Sequence, residues 1–135
     1  MMLEVAKILF VDDIFSNRLL LSSTLEGIGV ESKTAGNGQL AIEMLEKEEF
    51  SIVLLDIEMP VMNGLETVRY IRKEMNEPIS DMPIIALTAH NPSEYGDEMY
   101  LAGFNEILSK PYSIEKIQNL VDRYLGKDTT LRESK

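Results

Sequence analysis

Five polar residues stand directly behind apolar runs: Asp12 and Asp13 after Ile8 to Val11, Asp56 after Ile52 to Leu55, Thr88 after Ile84 to Leu87, and Lys110 just beyond Ile107-Leu108-Ser109. Singly, each has an ordinary use. An acidic residue after a strand caps the next helix, a threonine satisfies a turn, and a lysine is a solvated charge. In combination they have a specific chemistry. Three carboxylates gathered in one crevice repel one another, and a hard divalent cation with oxygen ligands, magnesium above all, offsets that repulsion.

For these residues to meet, the runs that precede them must be neighbouring strands. In an open parallel sheet, ligands bind in the crevice beyond the carboxyl ends of the strands. The chain supplies the elements. Val5 to Val11 is a strand buried on both faces. A helix follows with Leu20, Leu21, Leu25 and Ile28 at helical intervals, with Ser16 and Asn17 as caps near its start and Gly27 and Gly29 ending it. A weaker strand around Val30 to Thr34, a helix from Gly38 to Glu48 and the apolar strand Ser51 to Leu55 repeat the cycle. Pro60 and Asn63-Gly64 then break the chain. The third helix carries Leu65, Val68, Ile71 and Met75. Met82 to Leu87 is the fourth strand, Ser93 to Ala102 the fourth helix, and Asn105 to Leu108 the fifth strand. The last helix, Ile114 to Leu125, places Ile114, Ile117, Leu120, Val121 and Tyr124 on one face. Gly126 to Lys135 is a polar tail that frays.

Five strand-then-helix units with short connections imply an α/β fold, a parallel sheet covered by helices on both faces, because each right-handed crossover must pack back on the sheet. The 135 residues suit one domain of that kind, at 44% hydrophobic and 27% charged. Thirteen basic against twenty-three acidic residues leave a net charge of −10, which opposes nucleic acid and anionic membrane surfaces as partners. With no cysteine there is no disulfide, thiolate metal site or thiol nucleophile. No apolar run reaches the roughly 20 residues of a membrane span, and the start lacks a signal peptide's layout, so the cytoplasm is the expected compartment.

The segments Val11-Asp12-Asp13, Leu55-Asp56-Ile57-Glu58-Met59-Pro60, Asn63-Gly64, Ala86-Leu87-Thr88-Ala89 and Leu108-Ser109-Lys110-Pro111 resemble, in order and spacing, the motifs of response regulator receiver domains of the CheY-like superfamily. The wording is most similar to receivers attached to hybrid sensor histidine kinases, and the likeness covers residues 5 to 125. It implies the doubly wound, flavodoxin-like (βα)5 fold with strand order 2-1-3-4-5. It implies a phosphoryl group accepted on Asp56 from a phosphohistidine, and magnesium, or manganese in its place, held by the carboxylates of Asp13 and Asp56, by Asp12 through water and by the backbone carbonyl of Glu58. Lys110 and Thr88 would contact the phosphoryl oxygens, and Lys110-Pro111 would be a cis bond, where position alone favours trans at the opening of a helix. The partners implied are a sensor histidine kinase or histidine phosphotransfer protein upstream and a protein target downstream. The chain would catalyse its own phosphotransfer and dephosphorylation, without turning over a substrate as an enzyme. The chemistry agrees: a carboxylate can attack a phosphoryl group if positive charge offsets that on the transferring oxygens.

Two rival readings fit the sequence less well. An aspartyl-phosphate hydrolase of the haloacid dehalogenase kind needs Asp-x-Asp after the first strand, which Asp12-Asp13-Ile14 does not supply. A binding module that keeps only the fold would be expected to lose some of these polar positions, and all are present. Glu58 and His90, each two residues past a site residue, are expected to flank its mouth and tune hydrolysis of the acyl phosphate, against the alternative of two solvated side chains. His90 has no partner at metal-ligand spacing and is not a zinc ligand. The eight methionines read as gap-filling core and surface residues. One position departs from the family: Ile107 stands where an aromatic ring usually switches, and a β-branched chain is stiff at its first torsion. Coupling is therefore expected to run through Thr88, the loop His90 to Ser93 and the helix after it.

Overall fold

The computed structural model describes residues 7–125. Within them the order is β1 (Lys7–Val11), α1 (Phe15–Gly27), β2 (Glu31–Ala35), α2 (Gly38–Lys47), β3 (Ile52–Asp56), α3 (Gly64–Glu74), a 3-10 turn (Ile79–Asp81), β4 (Ile84–Thr88), α4 (Pro92–Ala102), β5 (Glu106–Ser109) and α5 (Ile114–Leu125). All strand pairs are parallel and the sheet runs β2-β1-β3-β4-β5. This is the doubly wound fold expected from the sequence. The tail from Gly126 and the proposed start of the first strand at Val5 lie outside the described residues.

Alternation along the strands builds two cores. Leu9, Val11, Val53, Leu55, Ile84 and Ala86 face α2, α3 and Met99 of α4. Ile8, Phe10, Ile52, Leu54, Ile85 and Leu87 face the other way, onto Leu21 and Leu25 of α1 and Ile117, Leu120 and Val121 of α5. Full burial of an Ile or Leu side chain is worth roughly 1.5–3 kcal/mol. A one-residue slip would exchange the two sets, so their different helix partners hold the register. That register aligns Val11 with Leu55, Asp56 with Leu87, and Thr88 with Ser109, which brings four strand ends to one edge.

The helices differ from expectation in detail. The N-cap of α1 is Ile14, with no side-chain cap, and Ser16 and Asn17 lie inside the helix. Leu20 is 70% exposed, because the stripe that reaches the sheet is Leu21 and Leu25, with Ile28 packed at its edge. Ile114 is 59% exposed, since the first turn of α5 lies off the face formed by Ile117, Leu120 and Val121. The fourth strand starts two residues late because the 3-10 turn takes up Ile79–Asp81 and Met82 caps it, donating its amide to Ile79 O. Met59, Met82 and Met99 are buried and Met44, Met62 and Met75 pack against the core, so these six methionines fill gaps as expected. Among the described residues no helix is long and apolar enough to cross a membrane.

Two contacts set the geometry at the ends of the sheet. A Cβ on Gly64 would lie 2.6 Å from the Asp56 carbonyl oxygen, so only glycine lets α3 start this close to the end of β3. Asn63 and Glu66 close a reciprocal capping box there. At the opposite end, Arg72 donates to Gly103 O (2.9 Å), Ser80 O (3.0 Å), Met82 O (2.7 Å) and Asn105 Oδ1 (2.8 Å). Asn105 Oδ1 also accepts from Ile84 N at 2.8 Å, so one guanidinium ties α3, the 3-10 turn and the approaches to β4 and β5. Arg72→Ala leaves several part-buried acceptors without their donor and should lower unfolding free energy by about 2–4 kcal/mol, read from the urea midpoint. Arg72→Lys cannot span the four acceptors and should recover less than half of that loss.

Candidate functional site

β1 delivers Asp12 and Asp13, β3 delivers Asp56, β4 delivers Thr88, and the turn after β5 delivers Lys110. Oxygens of Asp12, Asp13 and Asp56 all lie within 4.8 Å of one another. Asp12 and Asp56 are buried and Asp13 is exposed. Lys110 Nζ donates to Asp56 Oδ1 at 3.1 Å and stands 3.8 Å from Asp12 Oδ2. Its reach inward begins at the backbone, where Lys110 N donates to Thr88 O at 2.7 Å. Lys110–Pro111 is cis, as the resemblance implied; Glu77–Pro78, also cis, was not expected.

Asp12 is gripped on every side. Its amide donates to Ala35 O at 3.1 Å, and its carbonyl accepts from Arg18 Nη1 at 2.8 Å. Its carboxylate accepts from Ile14 N on Oδ1 (2.9 Å) and from Asn17 Nδ2 on Oδ2 (3.1 Å). Sequence reasoning missed Arg18 and misassigned Asn17, whose amide turns back to Asp12 where a cap was expected. The one available signal was spacing, since both lie within two turns of Asp12 along α1.

Burial raises the Asp56 carboxyl above the ordinary aspartate range, and nearby Asp12 adds to the rise. Lys110 and a hydrogen bond from the Glu58 amide oppose it without cancelling it. Tyr112, next to Pro111, is pushed up to about 12 by burial and then by the charges of Asp12 and Asp56. The pocket is therefore short of positive charge. Three carboxylates share one ammonium, and this oxygen-rich, electron-rich donor set fits a hard divalent cation.

Thr88 is buried and its Oγ1 accepts from His90 N at 3.0 Å, which fixes the loop that leaves β4. His90 Nε2 meets Glu58 Oε2, and the His90 ring packs edge-on against Tyr95 with centroids 5.2 Å apart. Glu58 and His90 thus touch, contrary to the reading of them as making no contact, while both side chains stay exposed as that reading had them. Ile107 is half-buried beneath α4, and a Cβ placed on Gly96 would be 3.7 Å from its Cδ1.

A family model described as the response regulator receiver domain matches residues 8–122. The chain belongs to that family. The receiver domain resembles the chemotaxis protein CheY4 of Vibrio cholerae at 33% identity and TM-score 0.82, over 90% of this chain and 99% of that one. It also resembles the receiver domain of the sensor histidine kinase PA1611 of Pseudomonas aeruginosa at 28% identity and TM-score 0.82, over 92% of this chain and 100% of that one; that structure has magnesium coordinated in its active-site cleft. Among curated relatives, the sensor protein GacS of Pseudomonas syringae pv. syringae is 33% identical over 121 residues, 89% of this chain. The aerobic respiration control sensor protein ArcB of Escherichia coli K12 is 35% identical over 125 residues, 92% of this chain. The receiver domain spans only 13% of the first of these sensors and 16% of the second. It is a receiver domain of two-component signalling.

The charge shortage has a thermodynamic sign. Desolvation is the largest influence on Asp56 and exceeds what Lys110 returns, so the ionised side chain costs stability while no cation is bound. Asp56→Asn should therefore raise the melting temperature in chelator by roughly 3–5 °C, about 1 kcal/mol for a chain of this size. Saturating magnesium should narrow that gap, because the cation stabilises the charged parent more than the variant, which has one carboxylate fewer. Since Asp56 takes up its proton at a higher pH than an ordinary aspartate, proton and cation compete, and magnesium affinity should fall as pH is lowered from neutrality. Calorimetric titration at stepped pH checks this; a flat profile would contradict it.

Proposed function

We propose that Asp56 accepts a phosphoryl group from a phosphohistidine, carried by a sensor histidine kinase or a histidine phosphotransfer protein, and that this modification is the signal. The observation that carries the reading is the Lys110 ammonium 3.1 Å from Asp56 Oδ1 inside a ring of carboxylates, at the edge where four strands end. The likeness to receivers of sensor kinases supports the class of donor.

In the transfer an Asp56 oxygen attacks phosphorus in line with the departing imidazole nitrogen. The P–O bond forms as the P–N bond breaks, and the electron pair leaves with the ring. Lys110 stays beside Asp56 and neutralises charge on the incoming oxygens. Thr88 keeps its hydroxyl proton free to donate, because its oxygen is the acceptor toward His90 N. Asp13 and Asp56 would hold magnesium by carboxylate, Asp12 through water, and Glu58 by its backbone carbonyl. When bound, the cation supplies further positive charge against the phosphoryl oxygens. Nothing here demands turnover of a separate substrate.

Acetyl phosphate with magnesium, followed by intact mass, tests the reading. The parent should carry one phosphoryl group and Asp56→Asn none. Steady phosphate release without an adduct would indicate a hydrolase, and an adduct on Asp56→Asn would remove Asp56 from the role.

The Glu58–His90 contact bears on lifetime. The pair bridges the loops after β3 and β4, and in this reading it would narrow the approach of water to Asp56. Glu58→Gln and His90→Ala should each change the adduct's decay rate by about 3-fold or more, roughly 0.65 kcal/mol on the barrier. Decay measured by phosphate release that matches the parent in both variants would show the pair is idle.

The readout should travel from Thr88 through the His90 to Ser93 loop into α4, in keeping with the stiff Ile107. Phosphorylation would bias two arrangements that already exist.

A further inference from the structure

The role of Asn17 is not settled by the fold. It lies in the first turn of α1, yet caps nothing; its Nδ2 donates to Asp12 Oδ2 at 3.1 Å. Ile14 N holds the other oxygen, Oδ1, at 2.9 Å. Arg18 holds the carbonyl of the same residue at 2.8 Å, and Lys110 Nζ stands 3.8 Å from Oδ2. The fully buried Asp12 carboxylate is thus fixed at both oxygens by donors from one short segment. An ionised carboxylate offers about four lone-pair sites, so Asp12 still has acceptor capacity toward the crevice. It has lost the freedom to turn and present both oxygens to one ion.

That restriction matters differently to different cations. Magnesium is small, demands near-octahedral geometry, and keeps several waters while taking one or two carboxylates. Calcium takes more oxygens at longer range and readily accepts a carboxylate by both. Asp13 is exposed, and Asp56 has one oxygen on Lys110, so Asp12 is the carboxylate whose orientation decides whether the cluster can supply a wider cage.

We propose that Asn17 is a positioning residue that sets cation selectivity: by occupying Asp12 Oδ2 it keeps Asp12 from chelating directly and so favours magnesium over calcium. This rests on the reading of the carboxylate cluster as a magnesium site. The competing role is purely mechanical, with Asn17 tying α1 to β1 in place of the missing cap. The two roles separate, because a mechanical tie affects melting temperature and leaves the ratio of the two cations' affinities alone.

The test is calorimetric titration of the full chain with magnesium chloride and with calcium chloride, for the parent, Asn17→Ala, Asn17→Leu and the control Ser16→Ala. Asn17→Leu keeps a side chain branched at Cγ beside Leu20, Leu21 and Ile117, which line the same groove, and keeps the test alive if the alanine variant does not fold. The ratio of the magnesium to the calcium dissociation constant should rise by about tenfold in both Asn17 variants, the lower end of what partners of metal-binding groups contribute. It should not move in Ser16→Ala. A ratio within about twofold of the parent in either folded Asn17 variant, or a shift toward magnesium, overturns the proposal. A parent that binds no magnesium overturns the reading of the cluster and this inference with it; a parent that binds magnesium with an unchanged ratio in the variants removes Asn17 alone.

Discussion

The fold is organised around an electrostatic cost, the burial of Asp12 and Asp56 at one edge of a parallel sheet with Asp13 close by and one lysine between them. Charges in such a place must be compensated, since isolated buried carboxylates are strongly disfavoured. Each neighbouring element supplies part of that compensation. The turn after β5 sends in Lys110; α1 sends the Ile14 amide, Asn17 and Arg18; and the loop after β3 turns the Glu58 amide toward Asp56. The glycine that opens α3 belongs to the same arrangement, because it lies where backbone approaches the end of β3 closely. Compensation stays incomplete, and the remaining deficit of positive charge is what fits the pocket to a divalent cation.

How much of this was legible depends on how local each cause is. β1, β3 and β4 were readable because inner strands of a parallel sheet are buried on both faces and appear as unbroken apolar runs. The edge strand β2, Glu-Ser-Lys-Thr-Ala, has little such signal, and its placement came from the rhythm of the units around it. The site was legible for a topological reason: residues behind strands of one parallel sheet must emerge at the same edge. What escaped notice depends on helical phase. Whether Leu20 or Leu21 meets the sheet, and whether Asn17 points to its own helix end or back to Asp12, turns on where α1 begins. Helix starts without a side-chain cap carry no mark in the sequence. The 3-10 turn at Ile79–Asp81 was equally silent, as short segments held by tertiary contacts often are.

Ile107 marks a departure from the family pattern that the site residues do not share. The carboxylates, lysine and threonine are those the family resemblance implied, yet the residue under α4 is branched and stiff. A Cβ on Gly96 would meet the Ile107 Cδ1 at 3.7 Å, an ordinary contact distance, so α4 passes close over this side chain.

α4 itself is anchored unequally. Among its described side chains only Met99 is buried, near the carboxyl end, where Phe104 is buried just beyond and Arg72 holds the Gly103 carbonyl. From Ser93 to Glu98 every residue is exposed or half-buried, and the amino end is joined to the pocket through Asn91, His90 and Thr88. A helix fastened in this way has a steep gradient of local free energy along its axis. The eleven residues of α4 are thus packed on the sheet at one end and rest on a single loop at the other, where little tertiary packing opposes local opening.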